Sequence, residues 1–173
     1  MHELLPSVNR MALLVNPAVP ATAEPVSRSS QAAAQALGLK LHIVHASSDR
    51  DFDAVFERLI QLRVGALVIG PDNIFIAHSR QLAALTVRHA IPAIYEFRQF
   101  AAAGGLMSYG PSEPEYYRLV GTYAGRVLKG DKPADLPVQQ STKVELFLNL
   151  KTARALGITV PLPLSGRADE VIE

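Results

Sequence analysis

Short apolar runs alternate along the first hundred residues with longer stretches in which apolar positions recur every three or four. Arg10-Met-Ala-Leu-Leu-Val15 and Ala66-Leu-Val-Ile69 are such runs, ending in Asn16-Pro17 and in Gly70-Pro71-Asp72-Asn73. A continuous apolar run bounded by turn residues suits a strand buried on both faces. Leu39 to His45 alternates Leu39, Leu41 and Ile43 with Lys40, His42 and Val44, and reads as a strand nearer the sheet edge. Ile91 to Tyr95 is a fourth short strand. Between them the spacing predicts helices. Thr22 to Leu37 has an Ala-rich middle, Thr22 as a cap and Gly38 as a stop. Ser47-Ser48-Asp49 opens a second helix with Phe52, Val55, Phe56, Leu59 and Ile60 on one face, and Gly65 closes its turn. Ile74 to His89 is a third. Strands alternating with helices over residues 10–95 predict an α/β fold with a doubly wound parallel sheet.

Beyond residue 95 the alternation breaks. Phe97 to Ala103 predicts a turn or two of helix, and Gly104-Gly105 ends it. Leu106 to Gly110 is a brief strand. Glu113 to Leu128 is helical, with Tyr116, Leu119, Val120, Tyr123 and Val127 on one side. A polar connection holding Pro133 and Pro137 leads to an alternating strand at Val144 to Leu148, and Asn149 caps a short helix through Leu156. This is an appended α/β segment, followed by a tail, 158–173, expected to be loosely structured. Met1 to Leu5 reads as the tail of a helix.

The 173 residues suffice for one core, and 49% apolar with 19% charged residues describes a folded chain. A net charge of +1, with the basic residues scattered, gives no reason to expect nucleic acid as partner. The absence of cysteine excludes disulfides, thiolate nucleophiles and Cys-ligated zinc. His2, His42, His45, His78 and His89 show no metal-ligand spacing. No glycine-rich nucleotide loop and no nucleophile elbow is present, so no cofactor and no enzymatic activity are expected.

Two stretches carry a specific resemblance. One is Ala103-Gly-Gly-Leu-Met-Ser-Tyr-Gly110. The other runs from Gly130-Asp-Lys-Pro-Ala-Asp-Leu-Pro-Val138 through Thr142-Lys-Val-Glu-Leu-Phe-Leu-Asn-Leu-Lys-Thr-Ala-Arg-Ala-Leu-Gly157 to Arg167-Ala-Asp-Glu-Val-Ile172. They resemble the closing segments of the ABC transporter substrate-binding family, whose members include tryptophan- and tyrosine-binding lipoproteins. The resemblance implies a type I periplasmic-binding fold of two lobes, an ABC permease as partner and a periplasmic location. It also implies that this chain corresponds to the C-terminal half only. Residues 8–97 are then the Rossmann-like second lobe. Residues 104–157 are then a crossover segment contributing to the other lobe or to a swapped partner. The break at 97–105 suits such a crossover, which predicts that the chain after Gly105 leaves the sheet of residues 10–95. The N-terminus MHELLPSVNR lacks the basic start and apolar run of a secretory signal, so the expectation for the chain as it stands is cytoplasmic.

In open parallel sheets, ligands bind beyond the carboxyl ends of the strands. That rule selects Asn16, Asp72, Asn73, Tyr95, Glu96, Ser108 and Tyr109 as ligand-binding candidates. Asn16 offers an amide, and is equally a turn residue before proline. Asp72 offers a carboxylate to a ligand ammonium, and is equally a helix cap with Asn73 as its competitor. The resemblance implies polar ligand contacts near Asp72. Tyr95 reads either as a platform for an apolar ligand or as an aromatic at the core edge. Ser108 and Tyr109 lie in the most family-like segment.

The leading reading is therefore a binding protein for a small polar organic molecule such as an amino acid, working in an ABC importer. A second is a truncated, non-binding product that forms a homodimer through its exposed lobe face. A small enzyme on a doubly wound fold is the third, which the fold alone permits.

Overall fold

A computed structural model describes residues 1, 3–139 and 143–173; His2 and Thr142 lie outside the described residues. The predicted alternation is present. Strand β1 (Arg10–Val15) is followed by α1 (Pro20–Ala36), β2 (Lys40–His45), α2 (Phe52–Leu62), β3 (Ala66–Ile69), α3 (Asn73–Ala77), α4 (Ser79–Arg88) and β4 (Ala93–Tyr95). Then come α5 (Arg98–Ala102), β5 (Met107–Pro111), α6 (Glu113–Leu128), β6 (Val144–Asn149), α7 (Leu150–Ala155), α8 (Leu162–Ser165) and β7 (Glu170–Ile172). The strands form one sheet in the order β2-β1-β3-β4-β5-β6-β7. β1 to β5 are mutually parallel, β6 runs antiparallel to β5, and β7 is parallel to β6.

The apolar runs go where their composition sends them. Ala12, Leu13 and Leu14 of β1 and Ala66 and Leu67 of β3 are fully buried at the centre, while the alternating β2 occupies one edge. Phe52, Phe56 and Leu59 of α2 pack with Phe75, Leu82 and Tyr95 into one core. The single 3-10 turn Asp49–Asp51 that leads into α2 carries a capping box between Ser48 and Asp51, at the helix start that Ser47-Ser48-Asp49 predicts. Asp51 accepts from the Ser48 amide at 2.9 Å and the Ser47 amide at 2.8 Å, and these two N–H groups hold its carboxyl below the usual range.

Several details depart from the predicted elements. α1 begins at Pro20, which fills the first turn where a missing N–H costs nothing, and Thr22 lies inside it. Ile60 is 52% exposed, outside the buried face of α2. That helix ends on Arg63 in the left-handed region, while Gly65 lets Val8 approach. The predicted helix 74–89 is broken at His78, where buried Phe75 and the His78 ring both pack on Phe52 and so turn the chain between α3 and α4.

The expected departure from the sheet after Gly105 does not occur in the strands. β5 pairs with β4 (Ile94↔Met107, Tyr95↔Ser108), and β6 pairs with β5 over five residues, so residues 10–172 build a single sheet. The reason is a second apolar cluster. Leu106, Met107, Leu146 and Leu148 bury their side chains against Leu4, Ala153 and Leu164. The tail is ordered by the same cluster. The Asp169 amide donates to the Leu146 carbonyl and Asp169 Oδ2 accepts from the Leu146 amide, both at 2.8 Å, and Glu170 pairs with Arg98 at 2.8 and 2.5 Å. Near the N-terminus the Leu4 and Leu5 amides both donate to the Met1 carbonyl. What stands apart from the sheet is α6, which has no buried residue.

Candidate ligand-binding site at the carboxyl edge of the sheet

From β1 the chain moves outward to β2 on one side and then returns to β3 on the other. The carboxyl ends of β1 and β3 therefore flank a topological switch point, where loops leave in opposite directions and open a crevice. Asn16 follows β1 and Asp72 follows β3, and the structure joins them. The Asn16 amide donates to Asp72 Oδ2 at 3.0 Å, while Asn16 Oδ1 accepts the Ala18 amide at 3.0 Å. Asp72 Oδ1 accepts the Ile74 amide at 2.8 Å and so caps α3. Both the capping reading and the site reading of Asp72 are thus compatible with its place. A carboxylate offers about four acceptor positions, and two are taken by these bonds. Asn73, the next residue, is exposed.

Glu96 follows β4. Its carboxyl is half-buried, and burial alone pushes it above the usual carboxylate range. Its Oε2 is buried without a hydrogen-bond partner among the described residues. β5 passes it closely because residue 110 is glycine: a Cβ there would lie 2.1 Å from the Glu96 carbonyl oxygen.

A depression of about 500 Å³ opens along this edge, lined by Asn73, Ile76, Phe97, Gln99, Pro111, Glu113, Tyr116 and Tyr117. It joins the ends of β3, β4 and β5 to the first turns of α6. Its walls combine three aromatic rings with amide and carboxylate groups, the mixture expected of a small-molecule site. Phe97, Gln99, Glu113 and Tyr117 carry no role in the sequence reading, and Tyr116 enters it only as an apolar helix position. The signal available for the tyrosines is the Tyr116-Tyr117 pair just after a strand end, with its rings 5.4 Å apart and edge to face.

Of the sequence candidates, Asn73 lines this depression; Asn16, Asp72 and Glu96 lie at the same edge outside its lining, and three more lie elsewhere. Tyr95 is 2% exposed and faces inward. Its ring stacks on Phe100 at 4.5 Å, its hydroxyl meets Thr86 Oγ1 at 3.1 Å, and burial raises its phenol above the ordinary value. Gly105 makes room for that ring, since a Cβ there would lie 2.6 Å from Tyr95 Cε2. Tyr95 is thus a core residue rather than a ligand platform. Ser108 is wholly buried beside it in register, and its hydroxyl has no partner among the described residues. Tyr109 is exposed, but it lines a separate depression of about 420 Å³ with Glu3, Arg167 and Asp169. Among the described residues, no group of three or more His, Asp or Glu side chains is placed to hold a metal ion. No described helix is long and apolar enough to cross a membrane.

A family model described as ABC transporter substrate binding protein matches residues 1–172. The fold also resembles several solved structures. A conserved domain protein from Vibrio cholerae superposes with a TM-score of 0.86 at 22% identity, covering 98% of this chain and 57% of that one. An ABC domain in complex with L-Trp from Streptococcus pneumoniae gives 0.84 at 23% identity, covering 99% and 59%. The ligand-free, open form of a substrate binding protein with adhesive properties from Clostridium difficile gives 0.72 at 18% identity, covering 98% and 56%. This chain therefore spans less than three fifths of the length of each. At these identities the likeness is one of fold. No curated protein sequence matches the chain.

Proposed function

We propose, from the premise that this chain belongs to the ABC transporter substrate-binding protein family, that it supplies one wall of a ligand cleft at the carboxyl edge of its sheet. The ligand is a small polar organic molecule, an amino acid in the simplest case. The observation that carries the reading is the Asn16–Asp72 pair at the switch point, beside a depression walled by Phe97, Tyr116 and Tyr117. An amino acid presents an ammonium group and a side chain. Glu113 is the carboxylate in the wall of the depression, Asp72 and Glu96 are further carboxylates at this edge, and each suits an ammonium, while Asn16 and Asn73 supply amides. The aromatic walls suit an apolar or aromatic side chain. The L-Trp held by the Streptococcus pneumoniae protein supports this ligand class.

In this reading the protein works without catalysis, in the periplasm or outside the cell, and delivers its ligand to an ABC permease for import. A second body of the size that the solved relatives carry beyond the matched region closes the cleft. The test is a thermal-shift screen of the chain against the amino acids, aromatic ones included. At a hundredfold excess over Kd, binding adds about 2.7 kcal/mol of stability. For a chain of this length that amounts to about 5–10 °C in Tm. The reading predicts a shift with at least one amino acid that disappears in Asp72→Asn. No shift with any, or a shift that Asp72→Asn leaves intact, contradicts it.

The exposed stripe on α6 supports a second reading, in which copies of the chain form a homodimer through that helix.

A further inference from the structure

Glu96 is the least committed of the three carboxylates at the carboxyl edge. Asp72 has both oxygens engaged, one with the Asn16 amide and one with the Ile74 amide. Glu113 lies in the first turn of α6, where free amide groups and the helix dipole favour its negative charge. Glu96 has neither support. Its Oε2 is enclosed without a hydrogen-bond partner among the described residues. Burial is the sole cause of the rise in its pKa, so no cation among the described residues offsets its charge. The chain's own backbone builds this enclosure. The missing side chain of Gly110 lets β5 close over Glu96, where a Cβ would lie 3.0 Å from Glu96 Cγ. The enclosure therefore does not depend on what lies beyond the edge.

A second atom points to the same place. Among the described residues, the buried side-chain polar atoms without a partner are Glu96 Oε2 and Ser108 Oγ. Ser108 stands opposite Tyr95, the residue before Glu96. It also lies two positions before Gly110, so positions 108 and 110 share the face of β5 that covers Glu96. Buried polar groups are nearly always paired, and two orphans at one strand end call for a functional account. Glu96 directly precedes Phe97, which walls the depression with Tyr116 and Tyr117. Its side chain is only half-buried and its terminal torsion is soft, so a turn of the carboxyl presents either oxygen to that side. An ammonium arriving there meets a charge that nothing else compensates, in surroundings of low dielectric.

We infer that Glu96 receives the ammonium group of the ligand, that the ligand's side chain is aromatic and lies against Phe97, Tyr116 and Tyr117, and that Asp72 is a positioning residue acting through Asn16. This rests on the ligand cleft proposed above and names the residue that reads the cationic end of the ligand.

The test uses the whole chain and three pairs of probes: L-tryptophan, L-phenylalanine and L-tyrosine, each beside the propionate that lacks its amino group. Affinities are measured by calorimetric titration. A hydrogen bond to a charged group is lost with the amino group, so the chain is predicted to bind at least one amino acid about tenfold or more tightly than its deaminated partner. Glu96→Gln keeps the shape of the carboxyl and removes only its charge, and a circular-dichroism melt checks that it is folded. It is predicted to remove the preference while leaving the affinity for the propionate unchanged. Asp72→Asn is predicted to weaken both members of the pair alike, as a positioning residue should. No preference in the unaltered chain, or one that survives Glu96→Gln and vanishes in Glu113→Gln or Asp72→Asn, overturns the assignment and leaves the ligand cleft standing. If none of the three amino acids binds, the inference falls, and the screen of all the amino acids decides the cleft by itself.

Discussion

Removing the Asp72 side chain is the perturbation with the most to say about the site. In Asp72→Ala the Ile74 amide loses its cap, which costs about 1 kcal/mol. The Asn16 amide, on a residue only 5% exposed, loses a charged acceptor, worth about 1.5–3 kcal/mol. The combined loss is about 3 kcal/mol, or about 6–12 °C in Tm for a chain of this size. Asp72→Ser separates the two effects. It retains an oxygen able to cap α3 but does not reach Asn16, so it keeps the capping part and loses the rest. A double-mutant cycle between Asp72→Ser and Asn16→Ala, read by urea denaturation, isolates the bond across the switch point. The expected coupling is about 1.5 kcal/mol. A coupling indistinguishable from zero, or a loss below about 1 kcal/mol in Asp72→Ala, refutes the claim that this pair fixes the edge of the sheet.

Further predictions concern the surrounding framework. Gly110→Ala places a methyl group against the Glu96 carbonyl and is expected to abolish folding or cost more than about 3 kcal/mol, whereas Gly121→Ala, with open space around it in a helix interior, raises stability by about 0.5–1 kcal/mol; circular-dichroism melts of both check the contrast. Because burial raises the Glu96 carboxyl in the folded chain, the folded state holds that proton more tightly. Its contribution to stability is therefore full at acid pH and falls as pH rises from the usual carboxylate range through the raised value. Melts across that range follow the decline, and Glu96→Gln removes its share of the slope. Arg98→Ala breaks the pair with Glu170, two groups 48% and 39% exposed, and costs no more than about 1 kcal/mol globally; amide exchange shows faster opening confined to β7.

The parts of the fold legible in the sequence are those where one interaction dominates. Met11 to Val15 and Ala66 to Ile69 are apolar throughout, and only a strand buried on both faces satisfies such a run. The break at His78 carries no glycine or proline, since it arises from Phe52 packing against Phe75 and His78, residues far apart along the chain. The strands after Gly105 join the first sheet through Leu4, Leu148 and Leu164, a cluster drawn from both ends of the chain that no local pattern reveals. The site divides in the same way. Asn16 and Asp72 follow from the rule that ligands sit beyond strand ends. Tyr95 lies in a strand of three residues, too short for alternation to show that its ring turns toward Phe100. Tyr116 and Tyr117 sit in a helix whose apolar spacing imitates a core-facing stripe, although that helix faces no core.

The central claim is that the carboxyl edge around Asn16 and Asp72 holds an amino-acid-sized ligand. Its most direct test is a titration of the isotopically labelled chain with the amino acid that gives the largest thermal shift, followed by amide NMR. The account predicts saturable shifts concentrated at Asn16, Asp72, Asn73 and Phe97 and in the first turns of α6. Shifts absent at saturating ligand, or gathered instead around Tyr109, Arg167 and Asp169, contradict it.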